Sequence, residues 1–246
     1  MTTISEIEAA HQECICGGRG YFTLKVPVSD QWFGHTFRCV CQRKEDAKRK
    51  ASKLRSRSGL TDSMMARWQL DNWLPESIKV GKGESRPQAV EKAVRLLRIC
   101  HRYVNNPKGW FTMSGPFGTG KTHLAYAIGS ELLNQGLAVY AGTVPDMLTM
   151  FRASYKEDSY EATLHELRDV DVLVLDDLGV QKPSDWVTEA LYTVLNYRYN
   201  EAMPVVITTN LSFDGKMDRA RLDGRLCSRI QEGFIATLDW GDFRIS

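Results

Sequence analysis

Eight residues in mid-chain, Gly115-Pro-Phe-Gly-Thr-Gly-Lys-Thr122, have the types and spacing of a phosphate cradle. They fit G-x-x-x-x-G-K-[ST], and they follow the apolar stretch GWFTMSG and open the helical pattern KTHLAYAIGSELLNQG, the context that motif requires. Glycines at 115, 118 and 120 let backbone N–H groups curl around phosphate oxygens with no Cβ in the way, and the helix N-terminus adds its positive end. The reading makes Gly115, Pro116, Phe117, Gly118, Thr119, Gly120, Lys121, Thr122 and His123 the nucleotide-binding stretch. Lys121 reaches the β/γ-phosphates of ATP and Thr122 ligates Mg²⁺.

Two further polar clusters suit the same chemistry. The apolar run VLVLDD ends in Asp176 and Asp177. At the end of a strand beside the cradle, Asp176 holds Mg²⁺ and Asp177 takes the place of the base that polarises the attacking water. Aspartate is one methylene shorter than the glutamate often found there, so slow or partner-assisted hydrolysis is expected. The run VVITTN ends in Asn210, placed to bond the γ-phosphate or the water, with Thr209 a second candidate.

A separate constellation lies near the N-terminus, where Cys14-x-Cys16 and Cys39-x-Cys41 flank the hairpin-like YFTLKVPVSDQWFGHTFR. Four thiolates satisfy a tetrahedral structural Zn²⁺. One intervening residue per pair is tighter than the usual C-x₂₋₄-C, which leaves two alternatives: His11 or His35 as a substitute ligand, and free, redox-labile thiols. Cys100 and Cys227 stand alone in regular patterns and read as small buried hydrophobes.

The elements that must position these groups alternate from about residue 89 onward. AVEKAVRLLRICHRYV is helical, with Val90, Val94, Leu97 and His101 on one side. The strands are GWFTMSG, LAVYAGT, DVLVLDDLG, PVVITTN and IATLDW. Between them lie helices in KTHLAYAIGSELLNQG, VPDMLTMFRASY, DWVTEALYTVLNYRYNEA and RLDGRLCSRIQEGF. That alternation predicts an α/β domain, a parallel sheet covered by helices on both faces. GKGESRPQ reads as a boundary, giving a Cys-rich and basic helical region over 1–80 and an ATPase domain over 81–246. Within the first, QRKEDAKRKASKLRSRSGL is a helix ending near Gly59, either a docking helix or a solvated one with incidental DNA affinity. Trp68, Leu70, Trp73 and Leu74 are apolar enough to dock on something.

The bulk numbers are those of a globular chain: 246 residues, 43% hydrophobic, 25% charged, net charge +2. Any affinity for nucleic acid must therefore come from local patches. No apolar run spans a bilayer and the N-terminus lacks a secretory pattern, so a cytoplasmic location is expected.

GPFGTGKTHLA, LVLDDLG, ITTN and RLCSRI, in this order, resemble the AAA+ ATPases of the DnaC/DnaI helicase-loader and IstB-like group. The resemblance covers roughly Trp110 to Arg244, closing on LDWGDFR, and less specifically the N-terminal cysteines. It implies an arginine finger that reaches a neighbouring subunit's ATP, with Arg229 first and Arg225 second, four apart on one helical face. It implies a cis role for Arg244 near the γ-phosphate. It also implies single-stranded DNA contacts from the helix holding Phe151, Arg152, Tyr155 and Lys156, and from Lys182, Ser184 and Trp186, with Tyr155 and Trp186 as stacking residues. The partners it implies are a replicative DnaB-type helicase, held by the N-terminal region, and further copies of the chain at the ATP interface. The end at Ser246 leaves no room for a helical lid, which fits the loader group. Two other functions share the P-loop: an IstB-like helper of a DNA transposase and a small-molecule kinase. The kinase leaves the Asn210 and arginine motifs unexplained.

Overall fold

The computed structural model describes residues 3–10, 12–80, 85–157, 159–182, 184–213 and 222–241. Two compact units divide the chain, Met1–Lys53 and Leu54–Ser246. The division falls earlier than the boundary near residue 80 expected from GKGESRPQ. The reason is burial: Leu60, Met65, Leu70, Trp73 and Ile78 belong to the core of the second unit.

The first unit holds α1 (Ile4–Ala10), β1 (Tyr21–Thr23), β2 (Thr36–Arg38) and the larger part of α2 (Val40–Arg57). β1 and β2 pair antiparallel, the hairpin expected between the cysteine pairs. Its core is small, Phe22, Phe37, Cys16 and Cys39. The basic run forms α2, in which no residue is fully buried.

The second unit continues with α3 (Asp62–Arg67), α4 (Arg86–Asn105), β3 (Trp110–Ser114), α5 (Lys121–Asn134), β4 (Val139–Thr143) and α6 (Val144–Lys156). It then runs through α7 (Tyr160–Asp169), β5 (Val172–Leu178), α8 (Asp185–Asn200), β6 (Val205–Thr209), α9 (Gly224–Glu232) and β7 (Phe234–Thr237). The five strands β3 to β7 pair in parallel in the order β4-β5-β6-β3-β7. β3, β5 and β6 are almost wholly buried, as expected of strands covered on both faces. Two apolar clusters form the core, one built around α4 and α5 and the other around α6, α7, α8 and α9. Among the described residues no helix is long and apolar enough to cross a membrane.

Three details depart from the sequence expectations. The buried stripe of α4 is Ala89, Ala93, Leu96 and Cys100, one position back from the expected Val90, Val94, Leu97 and His101, which are half-buried. Small alanines let the helix approach closely, and the larger residues flank the contact. Helix α7 has no counterpart in the expectations, although Tyr160, Leu164 and Leu167 repeat at helical spacing and the two leucines are buried. Arg198 on α8 is fully buried, and its guanidinium donates to the carbonyls of Leu167, Arg168, Val170, Asp171 and Pro204. That one side chain satisfies the carbonyls that lead into β5 and β6, and burial lowers it to about 10.

Candidate functional site

β3 ends at Ser114 between β6 and β7, and the chain turns there into the loop that opens α5. Glycine is required at two points of that turn. At Gly115 (φ +153°) a Cβ would stand 2.2 Å from the Leu238 carbonyl oxygen, and at Gly120 (φ +92°) 2.4 Å from Trp73 Nε1. Lys121 is buried, and its Nζ donates to the carbonyls of Gly115 (2.8 Å) and Pro116 (2.6 Å), which draws the ammonium back across its own loop. Thr119 Oγ1 donates to the Pro116 carbonyl.

β5 delivers the acids. Thr122 Oγ1 donates to Asp176 Oδ1 at 3.0 Å, so the two Mg²⁺-ligand candidates already touch. Thr208 on β6 donates to the same oxygen at 2.5 Å and accepts the Asp177 N–H at 2.9 Å. The β5–β6 register slips between Leu175 and Leu178, and Asp177 sits in that irregularity at φ +59°. A left-handed aspartate inside a strand is a strained conformation of the kind that clusters at functional sites. Burial raises the Asp176 carboxyl above the ordinary range, and Asp177 adds to this; Thr208, Thr122 and Lys121 pull the other way. A bound cation would relieve that penalty.

These groups line a cavity of about 630 Å³, within the range of small-ligand sites. Lys121, Thr122, Asp177 and Asn210 line it together with Trp68 and Trp73. Asn210 Nδ2 and Oδ1 are both buried with no hydrogen-bond partner among the described residues. A paired donor and acceptor left unused beside a phosphate cradle is an arrangement a nucleotide or its attacking water completes. The residues therefore fit ATP with Mg²⁺. Thr209 is occupied otherwise, its hydroxyl donating to Leu178 O and accepting from Leu211 N. His123 Nε2 donates to the Gln69 carbonyl at 2.8 Å, and burial lowers its pKa, so it stays neutral and ties α5 to the Trp-containing wall. The wall's role was not readable from sequence. Trp68 stacks on Tyr126 (4.8 Å, 14° between planes) and carries Arg67 at 5.6 Å, but only the fold brings residues 68–77 over the loop.

Residues 79–232 match the family described as IstB-like ATP binding protein. The chain belongs to this family. Its ATP-binding unit has the fold of AAA+ ATPases: the crystal structure titled DnaC helicase loader aligns with TM-score 0.57 at 25% identity, covering 72% of this chain and 98% of that one. Among curated relatives, YdaV of Escherichia coli K12 is 37% identical over 123 residues, 46% of this chain and 50% of YdaV. The replicative helicase loader DnaC of Escherichia coli K12 is 34% identical over 149 residues, 55% of this chain and 61% of DnaC. The chain thus spans half to three-fifths of these two relatives.

In this IstB-like chain the arginine pair lies away from the nucleotide cavity and is not among its lining residues. Arg229 Nη2 donates to Asn196 Oδ1 at 2.6 Å and to Tyr192 at 3.4 Å, and Nη1 donates to the Arg225 carbonyl. Its guanidinium also stands 4.9 Å from the Tyr199 ring. Arg225 is exposed, pairs with Asp223 through both carboxylate oxygens and lies 4.1 Å over Tyr192. Arg244 lies outside the described residues.

The aromatic residues of α6 and α8 do come together. Tyr155, 55% exposed, stacks on Tyr160 at 4.5 Å and stands 6.5 Å from Trp186, over which Arg152 lies at 4.7 Å. Phe151 is instead fully buried in the core. Ser184 caps α8, its hydroxyl accepting the Val187 N–H. Lys156 ends α6; its side chain is outside the described residues.

In the first unit the sulfurs of Cys14, Cys16, Cys39 and Cys41 all lie within 4.8 Å of one another. Cys16 Sγ is 3.7 Å from Cys14 and 3.3 Å from Cys41. Sulfurs about 2.3 Å from a tetrahedral Zn²⁺ are about 3.8 Å apart, so the donor set fits that ion. Burial raises the Cys39 thiol, but the backbone of Cys41, Ile15 and Cys16 outweighs it and holds the group at about 6, which favours the thiolate a metal needs. His35 stands edge-on to Trp32 rather than in this cluster, and His11 lies outside the described residues.

Proposed function

We propose that this chain is an ATP-driven loader of a replicative DnaB-type helicase, acting on single-stranded DNA during replication. The observation that carries the reading is the joining of two features in one chain: an IstB-like ATP-binding unit similar to DnaC, and a separate small unit whose four cysteine sulfurs gather within 4.8 Å. The small unit and the chain up to about residue 80 would hold the helicase, with a structural Zn²⁺ on Cys14, Cys16, Cys39 and Cys41. Tyr155, Lys156, Ser184 and Trp186 would contact the DNA strand, Tyr155 and Trp186 by stacking on its bases.

In the ATPase step, bound Mg²⁺ would neutralise charge on the β- and γ-phosphates, held by Thr122 and Asp176. Lys121 binds the same phosphates once it leaves the carbonyls of Gly115 and Pro116. Asp177 accepts a proton from the attacking water, and Asn210 orients that water with its unused donor and acceptor. Arg229 from a neighbouring copy completes the site, with Arg225 as the second candidate and Arg244 acting in cis. ATP binding assembles the chains and hydrolysis releases them.

The test is to mix the full chain with DnaB-type helicases, with and without ATP, and to measure complex mass and helicase loading on DNA lacking free ends. No complex and no gain in loading would overturn the reading. The family description itself favours a second reading, an ATP-dependent helper of a DNA transposase. Assembly on duplex DNA in preference to single strands, with stimulation of a transposase, would establish that one instead.

A further inference from the structure

Two exposed aromatic residues line different pockets of the second unit. Phe117, at the tip of the phosphate loop, is 66% exposed, and Phe234, the first residue of edge strand β7, is 49% exposed. Phe234 lines a mostly apolar groove of about 620 Å³ together with Trp110, Tyr199 and Gly233, and Arg229 lines the same groove. Phe117 lines the nucleotide cavity with Lys121 and Asp177.

We propose that Phe117 of one copy seats in the Trp110–Tyr199–Phe234 groove of the next, locking a head-to-tail assembly around the nucleotide. This rests on the in-trans reading of Arg229. Three observations support it. Arg229 forms part of the groove, so whatever the groove receives is what Arg229 meets first, and Phe117 is more exposed than Leu74, the other exposed apolar residue lining the nucleotide cavity. Charge is complementary once nucleotide is bound: among the described residues Lys108 and Arg229 line the groove against the single acid Glu232, and Arg102 lines the hollow beyond Phe234, while the opposing cavity, lined by Arg67, Lys121 and Asp177, would hold the anionic nucleotide. The apolar character matches on both sides, because an exposed ring on a tight loop inserts with little loss of conformational freedom, and aromatic pockets of this kind concentrate interface energy. The two surfaces are different patches of one chain, so the contact repeats and builds a ring or an open filament.

The decisive experiment replaces Phe117 in the full chain with photoreactive p-benzoylphenylalanine. Isotopically labelled and unlabelled copies are mixed with Mg²⁺ and a non-hydrolysable ATP analogue, irradiated and mapped by mass spectrometry. Adducts on Trp110, Tyr199 or Phe234 of another copy are expected; adducts confined to Trp68–Ser77, or to a surface outside the groove, overturn the proposal. In parallel, Phe234→Ser should weaken nucleotide-dependent self-association about tenfold or more by sedimentation, with ATP affinity and thermal melting retained. Unchanged association also overturns it. Mixing Lys121→Ala with Arg229→Ala chains keeps the two ideas apart. Recovered hydrolysis upholds the in-trans arginine whatever Phe117 does, and an inactive mixture with groove adducts rejects the arginine role while the contact stands.

Discussion

Arg229 Nη2 donates to Asn196 Oδ1 across 2.6 Å, within its own chain. The finger candidate is therefore held by α8 within its own chain, and engagement in trans through Nη2 competes with that bond. A bond of about 1 kcal/mol net corresponds to about a fivefold change in equilibrium. Asn196→Ala is accordingly expected to keep ATP hydrolysis and to shift nucleotide-dependent assembly to severalfold lower protein concentration, read by sedimentation. Arg229→Ala should lose about 10³-fold in hydrolysis with nucleotide affinity nearly intact. A large loss of affinity in Arg229→Ala would mean that it acts on the ATP of its own chain.

Asp176 makes Mg²⁺ binding and stability depend on pH in opposite directions. Its folded carboxyl is raised by burial, so between its unfolded and folded values the folded chain binds the extra proton. Without metal, stability falls as pH rises through that window and levels off above it. Metal binding needs the carboxylate and strengthens over the same window. Asp176→Asn retains an acceptor for Thr122 and Thr208 while removing the buried charge. Its metal-free melting temperature at neutral pH should be equal to or above that of the parent, with no further rise on adding Mg²⁺ to the ATP-bound chain. Calorimetric scans from pH 4 to 8 check both outcomes.

Zinc content should be one ion per chain. The first unit's buried core consists of two phenylalanines and two of the four clustered cysteines, too little to fold a small unit without a staple. Chelation, or Cys16→Ser, is expected to abolish amide-exchange protection across Tyr21–Arg38 and to leave ATP binding by the second unit in place. Protection that survives complete zinc removal would show that the thiols carry no structural metal.

Stacking at α6 is measurable at one exposed ring. Tyr155→Ala should weaken single-stranded DNA binding by about 1–3 kcal/mol, roughly 5- to 150-fold, with little change in melting temperature. Trp186→Ala should cost stability as well, because Trp186 is half-buried and carries Arg152. Fluorescence anisotropy with labelled oligonucleotides separates the two effects.

The fold was largely legible because its signals are local. Val172 to Leu178 reads as a buried strand ending in acids, and the loop after Ser114 announces its own helix. What escaped depends on distant pairings. Thr208 looks like one more strand threonine until β6 lies beside β5 and its hydroxyl bridges the two aspartates. Arg198 carries no local sign of its burial, and only the turn before β5 supplies the carbonyls that enclose it. The buried stripe of α4 lies one residue from the one its larger side chains mark, because the small alanines fit closest to the core.

Trp68, Trp73 and Leu74 line the nucleotide cavity, yet they precede residues 79–232, the stretch that matches the family. The grip on the phosphates and the aromatic wall beside it are thus written in separate passages of the chain. Substitutions in the second passage can reshape the cavity while the residues of the phosphate grip stay unchanged.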